Sequence, residues 1–357
     1  MSKLRRRLLA LWAVVASAVM LGMLSVPLPA AANPQFQVIA TVDVGVNPFG
    51  DTIAPDGNTV WVANAGTPGG ASGHTVTVLD ASTFATQSVI GVGNFPEDIA
   101  FASAGSQAFV TNSSDATVSV INTSTRTVGQ TVNLSTVPML FPFGVVATKD
   151  SQKVFVTSVG SQRDTSLDNI AVLDNSSPSN VFVGAAIHVE GATGRPALTP
   201  DGSLLVVPRG RGDLAPPETL LVDPATNQIV GDLTLGRAGA TQAATVTPDG
   251  RFAYVSILGG TGGVWVIDLA TRSTVTVIPT PDTRIFGVEA TPDGRFVFAT
   301  DFLLGEVSVI STATNQIIAN VPVGSLPNDI AVTPDSSRAF VTNQGSTTVS
   351  VISISSV

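Results

Sequence analysis

FQVIATVDVG, residues Phe36 to Gly45, is the stretch on which the reading of this chain turns. It consists of two short apolar runs and a turn glycine, with no partner ahead of it. A near copy, QIIANVPVG, runs from Gln316 to Gly324, close to the other terminus. There the pattern closes a longer unit. The chain thus starts with the last piece of a unit whose earlier pieces it writes out at its end.

The units are marked by the turn P-D-G or a relative of it. The central position falls at Asp56, Ala104, Asp150, Asp201, Asp249, Asp293 and Asp335, at intervals of 48, 46, 51, 48, 44 and 42 residues. An alternating strand follows each turn: VWVAN, AFVTN, VFVTS, LVVPR, AYVSI, VFATD and AFVTN. A second strand such as TVTVLDAST comes next, then a third such as IVGDLTLG, and a run such as PNDIAVT precedes each turn. Alternation of period two, punctuated by Pro, Asp, Gly and Asn, predicts four strands per unit. Repeats of this length and number predict an all-β chain, a seven-bladed β-propeller with four-stranded antiparallel blades whose strands a to d run outwards from the axis. A solenoid also repeats, but it needs capping units, and none is written here. The seventh unit, Ser325 to Val357, stops after strand c, so the N-terminal strand Val38 to Gly45 is expected to complete it. Closure of that kind removes two free strand edges.

AFVTN at 108–112 and 339–343, together with TPDGRFVFATD at 291–301, resembles the YVTN β-propeller repeat family, a WD40-like repeat. The resemblance covers Phe36 to Val357. It implies a seven-bladed propeller that works outside the cytoplasm or at the cell surface. It implies little about chemistry, because related propellers serve as binding platforms, lactonase-like hydrolases and cofactor-bearing oxidoreductases. Blade 4, with VVPRG, and blade 2, with SAG in place of P-D-G, depart from the family pattern.

The opening residues have the parts of a secretory signal. Lys3, Arg5, Arg6 and Arg7 precede an apolar stretch from Leu8 to Val26 and an A-x-A site at Ala30 to Ala32. Residues 1–32 are therefore expected to be a signal peptide and 33–357 a single propeller domain, secreted, periplasmic or at the cell surface. A retained anchor is the rival reading. With the signal removed no integral span is expected, and the protein is read as a monomer. The leader holds four of the 17 basic residues and no acidic one, so the remainder carries 13 against 26, a net charge of −13. Such acidity argues against nucleic acid and anionic membranes as partners, since both need cationic contacts. A protein, a glycan or a small molecule remains. The chain has no cysteine, which excludes disulfides, thiolate metal sites and covalent haem attachment.

In propellers ligands are expected at the mouth of the central channel, on the face that carries the d-to-a and b-to-c connections. Aligning the units backwards from P-D-G gives columns, and the odd members are the candidates. The column entering strand a reads Gly50, Asp98, Gly144, Arg195, Ala243, Gly287 and Asp329. In the next two columns Asp51 and Glu289 are the only charges. Strand b ends at Asn64, Asn112, Ser158, Arg209, Ile257, Asp301 and Asn343. Asp51, Asp98, Arg195, Arg209, Glu289 and Asp329 are thus the candidate ligand-binding residues. Asp51, Asp98 and Asp329 with the amides Asn64, Asn112 and Asn343 come from neighbouring blades 1, 2 and 7, and carboxylates with amide oxygens suit a hard cation such as Ca²⁺ or Mg²⁺. The plainer alternative is that these Asn and Asp side chains cap turns. Arg195, Arg209 and Arg211 suit a carboxylate or phosphate, or else pair with Asp213, Glu218 or another neighbour.

His74 lies in a long loop of blade 1 and His188 in an outer strand, too isolated for haem or copper clusters. The column Trp61, Phe109, Phe155, Val206, Tyr254, Phe298 and Phe340 is expected to fill the space between blades. Extended b-to-c loops in blades 1, 3 and 4 (AGTPGGASGH, VGSQRDTSLD and RGRGDLAPPE) could form a rim or docking surface. The function expected is a binding or interaction module. The alternative is a metal-assisted, lactonase-like hydrolase or lyase of small cyclic esters. A quinone-cofactor oxidoreductase is disfavoured, since only Trp61 and Trp265 lie beyond the leader.

Overall fold

Alternating residues of strand-forming type, cut by turns that need Gly or Asn, give short twisted sheets and nothing else of length. The computed structural model describes residues 35–67, 73–160, 165–210, 216–236 and 239–355. The expected signal peptide, Arg211 and Asp213 lie outside the described residues. Seven antiparallel sheets stand in a ring. Blade 1, for example, is built from Pro48–Ile53, Thr59–Asn64, Thr75–Asp80 and Thr86–Gly91. The only described helices are the short turns Ser113–Asp115 and Thr165–Leu167, and no described helix is long and apolar enough to cross a membrane.

The last blade is completed as the repeat predicts. Gln35–Asp43 pairs with Thr348–Ser355 at the outer edge of the sheet that also holds Arg338–Asn343 and Pro327–Val332. Val44 N donates to Thr347 O at 2.7 Å, and the Phe36 ring meets Phe296 and Phe298 edge-on at 5.1 and 5.8 Å. The innermost strands of blades 7 and 1 also touch, so the ring is continuous.

The aromatic column holds the blades together. Trp61, Phe109, Phe155, Val206, Tyr254, Phe298 and Phe340 are at most 2% exposed, and each sits in an apolar cluster with residues of the following blade. Phe340 of blade 7 packs with Val60 and Val62 of blade 1. Full burial of one such side chain is worth roughly 2–3 kcal/mol.

A second device runs nearer the axis. Strand a of six blades carries a bulge just after its start, as between Pro48 and Asp51 or Pro327 and Ile330. A bulge frees backbone groups from the ladder, and a hydroxyl from strand b takes them up. Thr342 Oγ1 accepts from Asp329 N at 2.9 Å and donates to Phe49 O of the next blade at 2.8 Å. Thr111, Thr157, Ser256 and Thr300 repeat the relay to Phe143, Gly194, Phe286 and Asn328. Ala63 and Pro208 hold this position in blades 1 and 4, where no hydroxyl is available.

Blade 4 departs furthest, as VVPRG suggests. Its first strand is split into Ala192–Thr193 and Ala197–Leu198, both paired with Leu205–Gly210. Between them Arg195 leaves its own sheet and bridges Ala243 of blade 5 in parallel, with Arg195 N to Gln242 O at 2.8 Å and Ala244 N to Arg195 O at 3.0 Å. A Cβ on Gly194 would collide with the Gln242 carbonyl, so only glycine permits that approach.

Candidate functional site

The bulges turn the entering residues of strand a toward the axis, and there the structure brings Asp51, Asp98, Arg195, Glu289 and Asp329 together. All five line one cavity of about 500 Å³. Its wall is polar and apolar in about equal measure, the apolar part including Ile53, Ile99, Val146, Val288, Ile330 and Val332, and it reaches Pro55, Pro292 and Pro334 of the P-D-G turns. The expected mouth was at the opposite end. There Phe49 and Phe143 are buried with Ala65 and Phe95 in one cluster, and the Phe49 ring lies 6.2 Å from Phe95 and 6.1 Å from Phe143. Three large rings from consecutive blades pack together at that end, and the lining of the cavity reaches the other.

Arg195 spans the axis beneath this plug. Its guanidinium carbon is 5.4 and 5.1 Å from the centres of the Phe49 and Phe143 rings, which attract a cation through their faces. Nη2 donates to Asn328 Oδ1 at 3.0 Å, and Nε lies 3.8 Å from Asp98 Oδ1 and 3.5 Å from Asp329 Oδ2. The arginine thus ties blade 4 to blades 2 and 7 through the middle of the ring.

Asp98 and Asp329 are inter-blade staples, as the plainer reading of these columns has it. Asp98 Oδ2 accepts from Val145 N of blade 3 at 2.8 Å, and its Oδ1 from Ile99 N at 2.9 Å. Asp329 Oδ2 accepts from Asp51 N of blade 1 at 3.3 Å. Glu289 Oε2 accepts from Thr245 Oγ1 at 3.3 Å. Asp51 differs from all of them. Its side chain is 6% exposed, yet neither Oδ1 nor Oδ2 has a hydrogen-bond partner. A buried polar group left unpaired is costly and calls for an explanation.

Four carboxylates share the cavity with one guanidinium, and all four are harder to ionise than usual. Burial pushes Asp51 well above the ordinary carboxylate range; the Asp329 charge adds to it and Arg195 partly offsets it. Asp98 is raised to about 7 by burial, against the pull of Arg195. Glu289 is raised to about 8 by burial and by Asp329. Asp329 is raised by burial and held down by Arg195 and the Ile330 and Asp51 amides. Close by in strand a of blade 2, burial lifts Glu97 to about 7. The cavity therefore holds protons near neutrality, or an external positive charge in their place.

The remaining candidates lie elsewhere. Arg209 does not line the cavity; it pairs with Glu218, its cross-strand neighbour, at 2.8 Å and with Asp232 at 2.7 Å. Asn64, Asn112 and Asn343 do not line it either. Their Oδ1 atoms accept from Gly45, Gly93 and Gly324 N at 2.9, 3.1 and 3.0 Å, and their Nδ2 atoms donate to pairs of strand c hydroxyls. A Cβ on any of these glycines would collide with its asparagine. Among the described residues no group of three His, Asp or Glu is placed to hold a metal ion. His74 stands at φ 63° before Thr75–Asp80, and His188 ends Phe182–His188 opposite Asn169, both away from the cavity. Residues 68–72, 161–164 and 211–215 of the extended loops lie outside the described residues.

Sequence reasoning missed the hydroxyl relay and the aromatic plug. The signal was present in both cases: the threonine of V-T-N recurs in its column, and Phe49 and Phe143 stand one place before the column that contains Arg195.

No family model matches the chain, and no curated protein matches it. Among solved structures the chain is similar to hydrazine synthase of Kuenenia stuttgartiensis, with a TM-score of 0.78 at 19% identity over 88% of this chain and 97% of that one. At that identity the likeness bears on the fold alone, and it supports the seven-bladed propeller.

Proposed function

We propose that this chain is an exported binding module of the YVTN-repeat kind, and that a small-molecule ligand occupies its axial cavity from the P-D-G side. The observation that carries this reading is Asp51. The residue lines the cavity, its buried carboxylate accepts no hydrogen bond, and it is held at an energetic cost that a bound ligand would offset. The cavity, about 500 Å³ and lined by both apolar side chains and charged groups, falls within the size range of ligand sites. The N-terminal leader supports delivery across the cytoplasmic membrane. The acidic chain supports a neutral or cationic ligand over nucleic acid.

A second reading, metal-assisted opening of a cyclic ester, draws on the same acids with Ca²⁺ or Mg²⁺. Asp51 and Glu289 favour it, because they alone of the four make no bond to the backbone. The test is a thermal-melt panel of small molecules on the whole protein and on Asp51→Asn, beside a lactone and ester turnover assay with and without divalent ions. A ligand that raises the melting temperature of the first protein only, with no turnover, supports binding. Ion-dependent turnover supports the second reading. If no compound shifts the melt and none is turned over, the axial cavity is not a functional site.

A further inference from the structure

The acids of the cavity fall into two pairs. Asp98 and Asp329 are engaged by backbone amides of the next blade and by Arg195, a cation the chain supplies itself. Among the described residues no cation is within ion-pair distance of Asp51 or Glu289, although the Arg195 charge acts on Asp51 from further off. Asp51 is one of the residues lining the cavity, its Oδ1 and Oδ2 are buried and accept no hydrogen bond, and Glu289 has one oxygen beyond its bond from Thr245. The same cavity is lined by Ile53 and Val332, which follow these acids or their counterparts in strand a, by Val288, and by Pro55, Pro292 and Pro334.

We propose, resting on the axial-cavity reading above, that the ligand is a primary alkylammonium: its charged head sits between Asp51 and Glu289 and its hydrocarbon chain lies along the apolar side chains of the wall toward the P-D-G face. An –NH₃⁺ has three donors and no acceptor, which matches two free oxygens of Asp51 and one of Glu289. A bare divalent ion fits less well. Ca²⁺ takes six to eight oxygens, whereas here two of the four carboxylates are committed to amides, and a guanidinium lies within 3.5–3.8 Å of both. A quaternary ammonium would call for an aromatic cage. The buried rings Phe49 and Phe143 instead enclose Arg195. Glu289 holds a proton near neutrality, because burial and the Asp329 charge raise it to about 8, and burial moves Asp51 in the same direction. Seating the ammonium ionises them, so binding releases protons to the buffer.

The experiment is isothermal titration of the whole protein near neutral pH with hexylammonium chloride, with hexan-1-ol and with CaCl₂, in two buffers of different ionisation enthalpy. Hexylammonium is expected to bind with a buffer-dependent heat that reports proton release. Hexan-1-ol, with the same chain and no charge, is expected to bind at least about tenfold more weakly, a difference of about 1.4 kcal/mol. Asp51→Asn and Glu289→Gln should each weaken hexylammonium by about tenfold or more, with circular dichroism showing both folded. Two variants are used so that a folding defect in one leaves the other to decide. Equal binding of alcohol and amine, or unchanged amine binding in both variants, overturns the proposal. Calcium binding that depends on Asp51, with no response to the amine, also overturns it and leaves the axial cavity as a ligand site. If none of the three probes binds, the ammonium proposal fails, while the wider panel above still decides whether the cavity takes any ligand.

Discussion

Replacing Asp51 by asparagine should make this protein more stable, and the gain should depend on pH. The substitution keeps the size of the side chain and removes no hydrogen bond, because the aspartate oxygens make none and the bond to Asp329 comes from the Asp51 backbone N–H; the attraction of Arg195 that it removes only partly offsets the cost of burial. What it removes is a buried acid beside three others. A buried polar group without a partner costs about 1–3 kcal/mol, and more when it is charged. The asparagine amide keeps part of that cost but none of the charge, so a gain of about 1–3 kcal/mol is expected at alkaline pH, once Asp51 ionises in the folded state. In a domain of this size each kcal/mol moves the melting temperature by about 2 °C, giving about 2–6 °C. The pKa of Asp51 is raised on folding. A raised carboxyl group has its full stabilising effect below its unfolded pKa and loses it as pH rises through the folded one. The advantage of asparagine should therefore shrink as pH falls from the alkaline side through the folded pKa of Asp51 toward about pH 4, its ordinary value. Paired melts of both proteins across that range, followed by far-ultraviolet circular dichroism, measure it directly. A variant that melts no higher at the alkaline end, or gains equally at both ends, refutes the account of Asp51 as an unpaired buried acid.

Three further outcomes follow from the same structure. A protein lacking Phe36 to Gly45 loses the outer strand of blade 7 and the Phe36 contacts with Phe296 and Phe298; it should aggregate on size exclusion or melt at least about 10 °C lower, and a loss of only a few degrees would contradict closure by that strand. Thr342→Val keeps the shape but strands the Asp329 N–H and the Phe49 carbonyl at the closing junction. It should cost about 2–4 kcal/mol in urea titrations, and a change below about 0.5 kcal/mol would mean that the relay is dispensable. For the protein as a whole, Asp98 and Asp301, raised to about 7, and Glu289, raised to about 8, favour the folded state at acid pH and withdraw that support as pH climbs through their folded values. Asp201, lowered to about 2 by its bonds from Thr199 and Ser203, works in the opposite sense and loses its contribution as pH falls. The urea midpoint should peak near about pH 4–5 and decline toward about pH 8; a midpoint that rises over that interval would refute the balance.

The fold was legible because a propeller repeats its punctuation. P-D-G fixes where strand a ends and b begins, and the aromatic column two residues into the core of strand b fixes which face meets the next blade. The candidate site was legible only in part. Column comparison gives a residue's height in the ring, and so it gathered Asp51, Asp98, Arg195, Glu289 and Asp329 at one level correctly. It does not give direction. Asn64, Asn112 and Asn343 stand at a comparable height but turn toward the glycines that close the preceding strand. Arg209 faces Glu218, which is its partner in the ladder and needs no ligand to explain it. Nor does the repeat show how Phe49, Phe95 and Phe143 pack at the upper end, because that packing depends on contacts between blades that no single repeat contains.

Gln35–Asp43, the outer strand of the last blade, leaves the ribosome ahead of every other strand of the ring and is the last to find its neighbour. During synthesis it must wait, unpaired, while some three hundred residues follow, because Thr348–Ser355 does not yet exist. Six blades can assemble locally as they emerge, each from adjacent hairpins, whereas the seventh is a contact of the longest possible sequence separation and hence slow. The interval between the end of translation and that final pairing is the period in which this protein is exposed to misassembly, and a holding chaperone would be most useful to it then.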